Sequence, residues 1–186
     1  MAEFTFHTKE TGNPEQRETL EAAERKYGFI PNLIAGLVEA PTLARAYSAL
    51  GDEVTKSSFS PTERHVAWFA VNRYHDCHYC MPAHTAIAKS EKIDEDVIEA
   101  ARTTGQFQDQ RLQALNDFVT TLVDQRGVVD AAAVDRFLAA GFTKQNVMEA
   151  ILVVAHKTVS NYANHLLNTP IDAPFQKFAW EPRSAA

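Results

Sequence analysis

Both cysteines of the chain fall in one short segment, Asp76 to His84, DCHYCMPAH, together with a histidine at the spacing of a helical turn. Read as a helix, Cys77 and Cys80 stand three residues apart and His84 follows Cys80 by four, so two thiols and an imidazole share a face. Asp76 is a good N-cap; it predicts Cys77 as the first helical residue and Cys80 within the first turn. There, free N–H groups and the macrodipole stabilise a negative sulfur. The thiolate is the reactive form of cysteine, and lowering its pKa from ~8.5 to about 6.5 raises the ionised fraction at neutral pH from a few per cent to roughly three quarters. His84 adds a proton acceptor or a positive neighbour, and His78 and Tyr79 lie between the thiols.

Three chemistries compete for this segment. In a redox dithiol, one sulfur attacks an oxidant and its neighbour closes a disulfide. In a zinc site, Cys77, Cys80, His84 and one of His75 or His78 complete a tetrahedron. That reading suffers from drawing every ligand from one turn, where structural zinc uses two separated ligand pairs. Simple packing of two buried cysteines is the third possibility, and the histidine at matched spacing counts against it. The redox dithiol is the favoured reading.

Positioning these groups falls to helices. Asn13-Pro14 with Gln16 predicts a capped helix running to Tyr27 and ended by Gly28. FIPNLIAGLVEAP reads as a turn, a short apolar helix opened by Asn32 and a break, after which Pro41 starts a helix to about Lys56. Ser60-Pro61-Thr62-Glu63 combines a serine cap, a proline at the first position and a glutamate that completes a capping box. The helix it opens, to Tyr74, is apolar nearly all round and so is expected at the centre. The cysteine helix is expected to run to about Lys89, with Pro82 in its early turns. Asp94 to Thr104, Asp109 to Arg126 and Asp130 to Ala140 follow, closed by Gly105, Gly127 and Gly141. Thr143 caps a last helix, Lys144 to Leu167.

The middle of that last helix, AILVVAH, is apolar on every side and must lie inside the protein or in a subunit interface. Its second half carries His156, Asn161, Tyr162, Asn164 and His165. A solvated helix end is the favoured reading there; the alternative is that Tyr162 or His165 closes a pocket over the cysteines. Strand-period alternation, a glycine-rich phosphate loop and internal repeats are all missing. The fold class is therefore all-α, a bundle of about seven or eight helices. The 186 residues are expected to form one domain, with an extended arm over residues 1–12 and a tail over 170–186 whose aromatics dock on a neighbouring surface.

Composition narrows the function. The net charge of −6 and the lack of any basic block argue against a nucleic-acid binder or a basic membrane-surface protein. No apolar run is long enough to span a bilayer. The N-terminus lacks a signal pattern, and two cysteines in one turn make no secreted disulfide framework. The expectation is a soluble, cytoplasmic protein.

The segment SPTERHVAWFAVNRYHDCHYCMPAHT, within Leu50 to His84, resembles the carboxymuconolactone decarboxylase superfamily in its alkylhydroperoxidase D-like (AhpD-like), peroxidase-related branch. The likeness extends more weakly through FIPNLIAGLVEAP and SNYANHLLNTPID. It implies an all-helical AhpD-like fold and assembly as a homo-oligomer, a trimer or hexamer. It also implies reduction of hydroperoxides, with electrons from a dithiol such as dihydrolipoamide or a thioredoxin-like protein, and no bound cofactor or metal. By position, Cys80 resembles the peroxidatic cysteine, Cys77 the resolving cysteine and His84 the relay histidine. One departure is marked: where redox members carry a glutamate twelve residues before the first cysteine, this chain has His65. Glu63 is no simple substitute, being about 200° away around the helix axis. His65 can relay a proton but lacks a fixed negative charge.

The resulting expectation is a thiol-dependent peroxidase in which Cys80 attacks, Cys77 resolves, and His84 with His65 moves the protons. Its rivals are a disulfide reductase, a decarboxylase-like enzyme and a non-catalytic metal-binding or redox-sensing module.

Overall fold

The computed structural model describes residues 4–181; residues 1–3 of the expected arm and 182–186 of the expected tail fall outside it. The regular elements are α1 Pro14–Tyr27, α2 Asn32–Leu37, α3 Pro41–Thr55, α4 Pro61–Tyr74, α5 Cys80–Ser90, α6 Glu95–Thr103, α7 Gln110–Asp124, α8 Ala131–Ala139, α9 Lys144–Leu167 and a 3-10 turn, Ala173–Phe178. No strand occurs among the described residues. Setting aside the short α2 and the 3-10 turn leaves eight longer helices, and the all-α class stands.

Local chemistry explains most of the boundaries. Reciprocal capping boxes open α1 (Asn13, Gln16), α4 (Ser60, Glu63) and α9 (Thr143, Asn146). Glu63 also takes a 2.7 Å hydrogen bond from Arg111 Nε, which ties the start of α4 to α7. Gly28, Gly105, Gly127 and Gly141 all take the left-handed conformation expected of glycines that end helices.

Helix α4 is the axle. From His65 to Asn72 every residue is buried. One side packs with α7, α8 and α9 through Val66, Trp68, Leu115, Phe118, Phe137 and Val153. Another meets α5 and α6 through Phe69, Met81, Ala88 and Ile98. A separate cluster of Leu20, Leu33, Ile34, Val38 and Ala44 from α1–α3 closes over Cys77, Tyr79, Cys80 and Ala83. The cysteines thus lie where the α1–α3 layer meets the central helices.

The start of the cysteine helix differs from expectation. Asp76 is not an N-cap. It adopts φ 50° as the left-handed residue of a Schellman stop to α4: Cys77 N–H donates to Asn72 C=O at 3.0 Å and Asp76 N–H to Arg73 C=O at 3.2 Å. Helix α5 then begins at Cys80 rather than Cys77. Pro82 supplies the physical reason. With Cys80 first, Pro82 is the third helical residue, where no N–H has an intrahelical acceptor; with Cys77 first it would sit where an N–H is required.

The described part of the tail packs on the bundle. Its 3-10 turn lies along α5, and Trp180 Nε1 donates to Arg102 C=O at 3.0 Å on α6. No single helix among the described residues is long and apolar enough to cross a membrane.

Candidate active site

Each sulfur is held by a different piece of backbone. Cys77 is fixed by the end of α4, and Cys80 by the first turn of α5, whose Cys80 N–H donates to Cys77 Sγ at 3.3 Å. The Asn164 side-chain amide, arriving from α9, lies 3.2 Å from Cys80 Sγ and 3.9 Å from Cys77 Sγ, so one donor reaches both sulfurs. The Ser160 hydroxyl is 3.7 Å from Cys80 Sγ. Both thiols are free and buried.

Their environments differ. Cys80 lines a cavity of about 330 Å³ with walls that include Phe29, Leu33, Ile34, Tyr47, Ile87 and Phe175, whereas Cys77 is not among its lining residues. Burial pushes the Cys80 thiol up, but the hydrogen bond from Cys77, the charge of Lys157 and the Ser160 and Asn161 side chains overcome it and bring the pKa down to about 5. Cys77 is driven the opposite way, by sharing its proton with Cys80 and by burial. The two shifts are opposed, so the negative charge is favoured on Cys80 and the proton on Cys77.

Lys157, which the sequence reading did not single out, is the cation of the site. It is 1% exposed, lines the same cavity as Cys80, and donates from Nζ to His84 Nε2 at 2.8 Å. His84 is therefore a neutral acceptor. Burial first, then the charge of Lys157, depress its pKa well below the ordinary range. No hydrogen bond joins His84 to either sulfur among the described residues. The imidazole expected beside the thiols is instead hydrogen-bonded to Lys157.

His65 is 1% exposed and packs beside Trp68, its ring 6.5 Å from that of His84. Its Nε2 is 3.3 Å from Glu91 Oε2 at the end of α5, without hydrogen-bond geometry. Burial lowers its pKa, against the opposing pull of Glu91. His65 thus lies behind His84 and away from the cavity, whose lining does not include it. Tyr162 and His165 are exposed and absent from the cavity wall; the buried polar groups of α9 include Lys157, Ser160, Asn161 and Asn164. They recur at three-, four- and seven-residue spacing, and that period was the available sequence signal.

The tail roofs the site. Tyr79, between the cysteines, donates its hydroxyl to Asp172, whose other oxygen accepts Asn32 N–H at 3.0 Å at the start of α2. His78 Nε2 is 3.0 Å from Thr169 C=O. That contact occupies one of the histidines a zinc site would need, and among the described residues no three His, Cys, Asp or Glu side chains converge as a metal shell.

The structure is an AhpD-like helical bundle in which the CxxC turn presents one sulfur to a largely apolar cavity. Residues 41–115 match the model of the carboxymuconolactone decarboxylase family. The fold is similar to that of an alkylhydroperoxidase AhpD core, an uncharacterized peroxidase-related protein from Ralstonia eutropha JMP134. The two share 21% identity over 94% of this chain and 96% of that one, with a TM-score of 0.76. An uncharacterized peroxidase-related protein from Silicibacter sp. TM1040 shares 19% identity over 94% and 95%, with a TM-score of 0.78. A cysteine-to-alanine variant of the debrominase Bmp8, in complex with 2,3,4-tribromopyrrole, shares 19% over 95% of both chains, with a TM-score of 0.75. No curated protein matches the chain. These likenesses give the chain an AhpD-like all-helical fold.

Proposed function

We propose that the protein is a thiol-dependent hydroperoxidase. The observation that carries this reading is the asymmetry of the dithiol: Cys80, whose pKa is lowered, lines a substrate-sized cavity, and Cys77, whose pKa is raised, sits beside it and out of the cavity. Cys80 thiolate attacks the distal oxygen of a hydroperoxide, the O–O bond breaks and Cys80 becomes a sulfenic acid. Cys77 condenses with it, water leaves, and an external dithiol reduces the disulfide. Because Cys80 alone lines the cavity, a slender dithiol such as dihydrolipoamide fits this route better than a bulky thioredoxin-like protein. Self-association into a homo-oligomer is supported by an exposed apolar stripe on α9, Met148, Ile151, Tyr162 and Leu166.

The test is turnover of cumene hydroperoxide with dihydrolipoamide. Wild-type protein is expected to consume both in equal amounts and Cys80→Ser to consume neither; a Cys80→Ser variant with wild-type turnover would remove the mechanism.

A second reading is favoured by the aromatic walls Phe29, Tyr47 and Phe175 and by the similarity to a debrominase. In reductive dehalogenation the dithiol supplies two electrons, a carbon–halogen bond becomes carbon–hydrogen, and halide leaves as the disulfide forms. Bromide release from a brominated pyrrole in the presence of dihydrolipoamide separates the two readings.

A further inference from the structure

We propose that Lys157 is the proton donor of the cycle, and that Cys80 and Lys157 exchange a single proton so that the buried site is electrically neutral at every stage. The proposal rests on the hydroperoxidase reading for its substrate and on geometry for the residue. Lys157 is an almost fully buried cation. Among the described residues no carboxylate forms an ion pair with it. Its hydrogen-bond partner is a neutral imidazole, His84. A buried ammonium needs a compensating charge, and the negative group available is the Cys80 thiolate, on the same cavity wall.

The other titratable groups facing the pair are in no position to do this work. Tyr47 from α3 is held protonated by burial and by the Cys80 charge. His84 from α5 and His156 from α9 are held neutral by burial and then by Lys157 itself. His65 from α4 lies behind His84 and outside the cavity lining. His84 is a positioning residue: it accepts one N–H of Lys157 and leaves the other two for the cavity.

The proton inventory then closes. Cys80 thiolate attacks the hydroperoxide, the S–O bond forms as the O–O bond breaks, and the alkoxide takes a proton from the Lys157 ammonium and leaves as alcohol. Cys80 is now a neutral sulfenic acid and Lys157 a neutral amine. Condensation with Cys77 releases water without changing either charge. The external dithiol gives two electrons and two protons to the disulfide, and the regenerated Cys80 thiol returns its proton to the Lys157 amine. The driving force is electrostatic: once Cys80 is neutral, a buried ammonium has lost its partner.

Two measurements test this. In ¹⁵N-lysine-labelled protein, with Lys157→Arg identifying the resonance, Nζ of Lys157 is expected to report an ammonium in the dithiothreitol-reduced form. At the same pH it is expected to report an amine after oxidation with diamide. The same charge in both forms overturns the proposal. In single-turnover kinetics, arginine keeps the charge but cannot release a proton. Lys157→Arg should therefore cut the rate with cumene hydroperoxide by ~10²-fold while sparing peracetic acid, whose leaving carboxylate needs no proton. An equal loss with both oxidants indicates a merely structural role and overturns it. If wild-type protein consumes neither oxidant, the hydroperoxidase reading is lost, and the lysine resonance alone decides whether the proton-sharing pair exists.

Discussion

On the inner face of α9, Lys157, Ser160, Asn161 and Asn164 are buried, with Ser160 and Asn164 reaching Cys80, while on the outer face Met148, Ile151, Tyr162 and Leu166 are exposed. The two faces reverse the ordinary amphipathic arrangement, in which the apolar stripe faces the core. The inner face is polar because it must hold a buried negative sulfur, which demands donors and a countercharge wherever water is excluded. The outer face is apolar, and no element among the described residues covers it. One helix therefore carries both the polar wall of the site and an exposed apolar stripe.

The largest expected consequence of the inner face is a pH dependence of stability. Cys80 titrates near 5 when folded and near the ordinary thiol value of 9.0 when unfolded. Between those values the unfolded chain binds a proton that the folded one does not, so stability rises with pH across the window, by at most about 1.4 kcal/mol per pH unit. Cys77 acts oppositely: its raised pKa means that above 9.0 the unfolded chain loses a proton the folded chain keeps, and stability declines. His84 and His156 are held neutral by burial, so their contribution is full above 6.5 and is lost as pH falls below it. The thermal midpoint of the reduced protein should climb toward pH 9 and then turn down. In Cys80→Ser the climb above pH 6.5 should flatten while the acid loss remains. An unaltered slope in that variant would mean the inner face holds no thiolate.

A smaller effect isolates Asn164. Its amide reaches Cys80 Sγ at 3.2 Å; a hydrogen bond to a charged group is worth about 1.5–3 kcal/mol, or about one to two pK units. Asn164→Leu should move the midpoint of the pH profile for Cys80 alkylation up by that amount. A midpoint within 0.3 of wild type, taking ~0.3 units as the resolution of such profiles, would assign the thiolate to Lys157 without help from the amide.

The legibility of the molecule follows the range of its interactions. Asn13 with Gln16, Ser60 with Glu63 and Thr143 with Asn146 act over three residues, so helix starts read correctly from sequence. The cysteine pair was legible for the same reason. The start of α5 was misplaced by three residues because Asp76 suits two roles, and the Schellman bonds that select one of them belong to the preceding helix. Lys157 was missed because a lysine after an apolar run reads as the snorkelling edge of a buried helix. Its contact with His84 spans 73 positions, and the Tyr79–Asp172 bond spans 93. Asn161 and Asn164 read as a solvated end for want of knowing which face of α9 turned inward.

The outer face should have the smallest effect on the thiols. Met148 and Leu166, at 64% and 74% exposure, bracket a stripe that continues into an apolar groove of about 590 Å³ lined by Phe4, Leu37, Leu43, Val159 and Leu167. Covering such a surface with a second copy of the chain removes apolar area from water, worth about 25 cal/mol per Å². A charge at each end of the stripe opposes that burial. The double variant Met148→Lys, Leu166→Glu should therefore lower the particle mass measured by light scattering toward that of a single chain. Neither residue touches the sulfurs, Lys157 or the cavity lining, so the alkylation midpoint should stay within ~0.3 units of wild type. If breaking the assembly moved that midpoint as far as Asn164→Leu does, the two faces of α9 would be coupled, and the association surface would belong to the site.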